Sequence, residues 1–179
     1  MNVVLVVFQD APPDLARRVA SALPFPWHAD EPARRVVDFK PLLDQSRLQL
    51  EATRLVEMLP ADDPARCWIA LVGVDLFLQP LAWVCGVAPV SSHRGAVSWA
   101  RLGEGLSAMS PLMIERVVKE VAHELGHAAG LVHCPVPDCV MHASLYPDEI
   151  DLKPASYCEP CLASLQQLIA AAPPPHDRP

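Results

Sequence analysis

The stretch HELGHAAGLVHC, residues 123–134, limits what this chain can fold into more than any other. Apolar residues around it, Ile114, Val118, Val121, Leu125 and Ala129, recur at helical spacing and predict a helix over residues 112–129 with one buried face. His123 and His127 fall on the opposite face, one turn apart, so that their imidazoles can bite a single cation. Glu124 is offset to the side, where a water on that cation would sit. Gly130 stands where helices often end in the left-handed conformation, which glycine adopts cheaply, and the reversal brings His133 back to the same point. Three neutral imidazoles with one open position describe a catalytic zinc centre, with Glu124 placed to take a proton from water. The plainer alternative is a set of solvated helix histidines.

The cysteines ask for a second account. Cys134 follows His133 directly, Cys139 lies just beyond, and CEPC supplies Cys158 and Cys161. Thiolates from two short turns can close a tetrahedron around one zinc, and such a site is structural because no position stays open. Two disulfides or free thiols are the rival reading. Cys67 and Cys85 lie in apolar stretches and read as small core residues.

HELGHAAGLVH resembles the extended zinc signature HExxHxxGxxH of the metzincin metallopeptidases. Its continuation through Cys134, Cys139 and Met141 in HCPVPDCVM, and then through CEPC, is similar to the pattern of the archaemetzincin family. The resemblance is specific from Glu120 to Cys161, with weaker support from VGVDLF and SWARL. It implies an α/β (α+β) metzincin-like fold: a twisted mixed β-sheet, backing helices, a zinc-binding active-site helix and a small C-terminal part clamped by a second zinc. It also implies His123, His127 and His133 as ligands of a catalytic zinc, Glu124 as general base, and Cys134, Cys139, Cys158 and Cys161 as ligands of a structural zinc. Two Zn2+ per chain are therefore expected. Met141 resembles the methionine that lies beneath the histidines in this family, and AVSWARL would be the edge strand that pairs with an extended peptide.

Upstream, NVVLVVF reads as a buried strand, DLARRVASAL as a helix, LPFPWHADEPAR as loop and RRVVDF as a short strand. PLLDQSRLQLEATRLVEML, residues 41–59, has helical periodicity and predicts one helix. CWIALVGVDLFL, residues 67–78, predicts a central strand, and AWVCGVA with GAVSWARL predicts an antiparallel hairpin at the sheet edge. Residues 1–171 are expected to form a single domain, and APPPHDRP, residues 172–179, a disordered proline-rich tail.

With 21 acidic against 14 basic residues and a net charge of −7, the chain has no electrostatic footprint for nucleic acid or an anionic membrane. No apolar run approaches the ~20 residues that a membrane span requires. MNVVLVVFQDAPPD reads as a strand start and not as a signal peptide, so a cytoplasmic location is expected. The expected partner is a peptide or protein substrate, met by a monomer. Tyr146 and Tyr157 read as surface or core residues, and Arg116 with Glu120 as a solvated ion pair. His142, Asp151 and Lys153 receive no chemical role. The competing function is a zinc-stabilised peptide-binding module with little or no hydrolysis. A zinc-ribbon nucleic-acid binder is disfavoured by the charge.

Overall fold

The computed structural model describes residues 1–8, 11–36, 38–60, 63 and 65–172. Continuous β-branched residues make β1 (Asn2–Phe8), buried from Val3 onward, and the segment after the two prolines makes α1 (Leu15–Ala22). The proline-rich stretch that follows is not all loop. It contributes β2 (His28–Ala29), and its end together with the start of the expected short strand makes β3 (Ala33–Arg35); both run parallel to β1.

The single helix expected over residues 41–59 does not form. β4 (Leu43–Asp44) and β5 (Gln49–Glu51) make an antiparallel hairpin, and only α2 (Ala52–Glu57) is helical. The Asp44 carboxylate accepts the backbone N–H groups of Ser46 and Arg47, and Leu48 takes a left-handed φ of 56°, so the chain turns where helical hydrogen bonds would have run.

β6 (Arg66–Val72) is shorter than the strand expected from CWIALVGVDLFL. It ends at Gly73, where a Cβ would stand 2.9 Å from the Trp99 indole, and the chain crosses to a second sheet as β7 (Leu76–Leu78). β8 (Leu81–Val84), β9 (Gly86–Val87), β10 (Arg94–Ser98) and α3 (Trp99–Leu102) follow. The first sheet has the order β2-β1-β6-β10-β9, with β3 also on β1, and the second the order β4-β5-β7-β8. β1, β6 and β10 are parallel, while β9 is antiparallel to β10.

The expected edge hairpin therefore exists, but its outer strand is β9. AVSWARL is not an edge: β10 is hydrogen-bonded on both sides, and the Ser98 hydroxyl, accepting from the Ala100 N–H, turns the rest into α3. The chain ends with α4 (Pro111–Ala129), α5 (Pro147–Asp151) and α6 (Glu159–Ala171).

Strand alternation feeds two cores. Val3, Leu5, Val7, Ile69, Leu71 and Val97 pack with α1 and α4, whereas Val4, Val6, Phe8, Ala70, Val72 and Ala96 face α2 and the second sheet. This mixed α/β architecture agrees with the class expected from sequence. Among the described residues no helix is long and apolar enough to cross a membrane. From residue 173 onward the expected tail lies outside the described residues.

Candidate active site

α4 starts where the Ser110 hydroxyl accepts the Met113 N–H at 3.3 Å and Pro111 takes the first turn. From Val117 to Gly126 every residue is buried, the histidine face included, with His123 at 6% exposure and Glu124 at 4%. The helix ends at Gly130 (φ 122°), as the spacing predicts. Its last carbonyls are met from another element: Ser91 N–H donates to His127 O and His93 N–H to Ala128 O, both at 3.0 Å. Ser91 and His93 take positive φ values to do so.

The structure brings His123, His127 and His133 together, with ligand nitrogens within 4.8 Å of one another. His123 Nδ1 lies 2.7 Å from Val140 O, and His127 Nδ1 lies 2.9 Å from Leu131 O. A carbonyl only accepts, so each Nδ1 carries the proton and each Nε2 presents a lone pair. Those two Nε2 atoms lie 3.1 Å apart. Two facing lone pairs repel unless a cation stands between them, and zinc with ~2.0–2.1 Å bonds holds tetrahedral nitrogens ~3.4 Å apart. The donor set therefore fits zinc. Burial, before any other cause, lowers all three imidazoles from the ordinary histidine value, His123 to about 3, which favours the neutral form that a metal ligand needs.

Glu124 and Glu120 converge on β9. A Cβ on Gly86 would stand 2.7 Å from Glu124 Oε1 and 3.0 Å from Glu120 Oε1, so the missing side chain makes room for two carboxyls. Glu124 Oε2 is buried with no hydrogen-bond partner among the described residues. Burial and then the Glu120 carboxyl push Glu124 well above the usual carboxylate range, against the pull of the Lys153 ammonium. Burial raises Glu120 to about 7. A dication on the three imidazoles would oppose both shifts.

Glu120 and Lys153 were not assigned to the site from sequence. The expected Arg116–Glu120 pair is absent: Arg116 instead holds Asp151 through two hydrogen bonds of 2.8 and 2.7 Å, and Glu120 is buried. Its position one turn before Glu124 was the available signal. Tyr157 is a core residue, its hydroxyl donating to Ala122 O at 2.6 Å and accepting from Trp27 Nε1 at 2.7 Å. Tyr146 is exposed at the rim of a cleft of about 490 Å³ that opens over the histidines. Leu78, Leu81 and Trp83 wall one side, and Leu145, Tyr146 and Ile150 contribute further.

Cys134, Cys139, Cys158 and Cys161 also meet, their sulfurs within 4.8 Å of one another. None of the six cysteines is paired in a disulfide. The Cys134 and Cys158 sulfurs are 3.8 Å apart, far beyond a disulfide bond of ~2.05 Å but equal to the ~3.8 Å edge of a tetrahedron with ~2.3 Å zinc–sulfur bonds. Cys67 is a core residue as expected, whereas half-buried Cys85 lines the cleft; burial raises both thiols to about 12. Met141 is fully buried beneath α4 against Gly126.

The model of peptidase family M54 matches residues 68–167. The archaemetzincin of Archaeoglobus fulgidus is 36% identical over 121 residues, covering 68% of this chain and 71% of that protein. That of Pyrococcus horikoshii is 37% identical over 133 residues, 71% of each. The crystal structure of the Archaeoglobus fulgidus archaemetzincin complexed with malonate superposes with a TM-score of 0.78 at 31% identity, over 92% of this chain and 99% of that one. The Methanopyrus kandleri archaemetzincin gives 0.78 at 30% identity, over 95% and 96%. A matched family model, a shared fold and a histidine cluster able to hold zinc agree with one another: the chain belongs to peptidase family M54, the archaemetzincin-type zinc metallopeptidases.

Proposed function

We propose that the chain hydrolyses peptide bonds at His123, His127 and His133, with Glu124 as general base, and that Cys134, Cys139, Cys158 and Cys161 hold a second, structural zinc. What supports this above all is the pair of Nε2 lone pairs of His123 and His127, 3.1 Å apart with both Nδ1 atoms committed to carbonyls, beside a buried carboxyl. When bound, zinc supplies a positive charge that acidifies water and polarises a carbonyl.

The protein's own groups do the rest. Val140 O and Leu131 O fix two imidazoles in tautomer and direction. Glu124, with one oxygen that has no hydrogen-bond partner among the described residues, takes a proton from the attacking water and returns it to the leaving amine nitrogen. The apolar cleft walls exclude solvent from the peptide around that bond. Residues 1–171 act as one domain, monomeric and, given four thiols that must stay reduced, cytoplasmic.

Glu124→Gln is expected to lower peptide hydrolysis by at least ~100-fold while elemental analysis still finds two zincs per chain. His123→Ala/His127→Ala is expected to leave one. Undiminished hydrolysis in Glu124→Gln removes the general-base role, and a wild type with a single zinc, indifferent to the histidine changes, removes the catalytic centre.

A further inference from the structure

Lys153 and Glu120 are the charged side chains of the cleft that lie outside the zinc signature. Lys153 is only 4% exposed and still lines the cleft. An ammonium has three N–H donors, and Lys153 spends one, on His142 O at 2.6 Å. Among the described residues it has no carboxylate at ion-pair distance, and the acidic groups whose charge it feels most are Glu120 and Glu124. The other buried lysine behaves differently: Lys119 pairs with Glu115 at 2.7 Å.

A buried cation without a counter-ion is costly to maintain, and this one lines the cleft with two donors that form no hydrogen bond among the described residues. The walls around it, Leu78, Leu81, Trp83 and Leu145 among them, offer a peptide little besides apolar contact. One fixed donor in such a cleft sets orientation and selects by charge. In a peptide the complementary group is a carboxylate, carried either at a free C-terminus or on an Asp or Glu side chain.

We propose that Lys153 binds a carboxylate of the substrate, so that the cleft selects peptides presenting an acid near the bond to be cut. This rests on the reading of the cleft as a peptide site, though not on hydrolysis. The side chain reaches the cleft from the turn after α5, held by the His142 carbonyl, and its charge-assisted hydrogen bond to a carboxylate replaces the missing ion pair.

The test uses the full-length, zinc-loaded Glu124→Gln protein and calorimetric titration with matched peptides. Acetyl-Ala-Leu-Phe-Leu is compared as free acid and as amide, and acetyl-Ala-Glu-Phe-Leu-amide is compared with its Gln counterpart. The acid of at least one pair is expected to bind about 10- to 100-fold more tightly, and which pair shows it identifies the source of the carboxylate. Adding Lys153→Met is expected to abolish the difference, and Lys153→Arg to retain most of it.

No preference in either pair, read without any change at Lys153, overturns the proposal whatever the variants do. A preference that persists in Lys153→Met overturns it too, since the carboxylate would then be bound by the metal. Loss of zinc from the cysteine site in Lys153→Met with the preference intact also overturns it, making the ammonium a counter-charge for the thiolates. A carboxylate preference that depends on Lys153 in a protein whose wild type cleaves nothing supports this proposal and defeats the hydrolytic reading alone.

Discussion

At Gly86 a methyl group would stand 2.7 Å from Glu124 Oε1 and 2.8 Å from its Cγ, so Gly86→Ala must displace the carboxylate proposed above as general base. The expected result is a fall in kcat of at least ~100-fold with two zincs retained, followed by kinetics and metal analysis side by side. A carboxyl shift of about an ångström is enough to lose proton transfer. Glu120 offers a test by pH. Burial holds its folded value at about 7 against 4.5, so between those values the folded protein keeps a proton that the unfolded chain has released. That contribution to stability is complete below pH 4.5 and is lost as pH rises through 7. In the His123→Ala/His127→Ala background, the stability advantage over Glu120→Gln should shrink by about 1.4 kcal/mol per unit as pH rises across this window, measured by urea unfolding. A difference that stays flat with pH would mean that the fold does not hold this carboxyl protonated. His123, Glu124, His127 and His133 were legible in the sequence because helical spacing and one glycine place them. The Glu120 and Lys153 environment was not, because it arises where α4 meets the turn after α5, a contact that no local pattern encodes.

Elements were legible where one period dominated. β1, α1 and α4 follow continuous β-branched or helical patterns, and α4 begins within one residue of its expected start. Residues 41–59 misled because Leu42, Leu50, Leu55, Val56 and Leu59 share one core whether read at helical spacing or as a hairpin followed by a helix. The deciding signal was Asp44, whose side chain competes for the backbone of the turn. This makes an exposed position diagnostic. Leu48 is 71% exposed with φ at 56°, so Leu48→Gly should stabilise the protein by about 0.5–1 kcal/mol in urea denaturation by removing left-handed strain. Were residues 41–59 a helix, the same change would destabilise by about 1 kcal/mol. The misplaced edge strand has a similar origin. β9 has only two residues, too few to register as a strand, and it is β9 that closes the sheet beside Glu124.

At the scale of the molecule, the histidine and cysteine clusters share their supports. Val140, whose carbonyl orients His123, lies between Cys139 and Met141, and its own N–H donates to Ser156 O just before Cys158. Cys134 N–H donates to Met141 O, and α6 begins beside Cys158 and buries Leu165 in the main core. Cys158→Ser/Cys161→Ser should therefore do more than loosen the C-terminal helix. The expected outcome is one zinc per chain, loss of at least ~3 kcal/mol of stability, and a clear fall in peptide hydrolysis although every histidine remains. Full activity in a one-zinc variant would uncouple the two sites. His133 and Cys134 are neighbours in sequence, so a single peptide unit ends the histidine cluster and opens the cysteine cluster. Neither cluster can then be treated as a module: an insertion or deletion between them has nowhere to go, and a graft of the histidines into another scaffold must carry the cysteines with it.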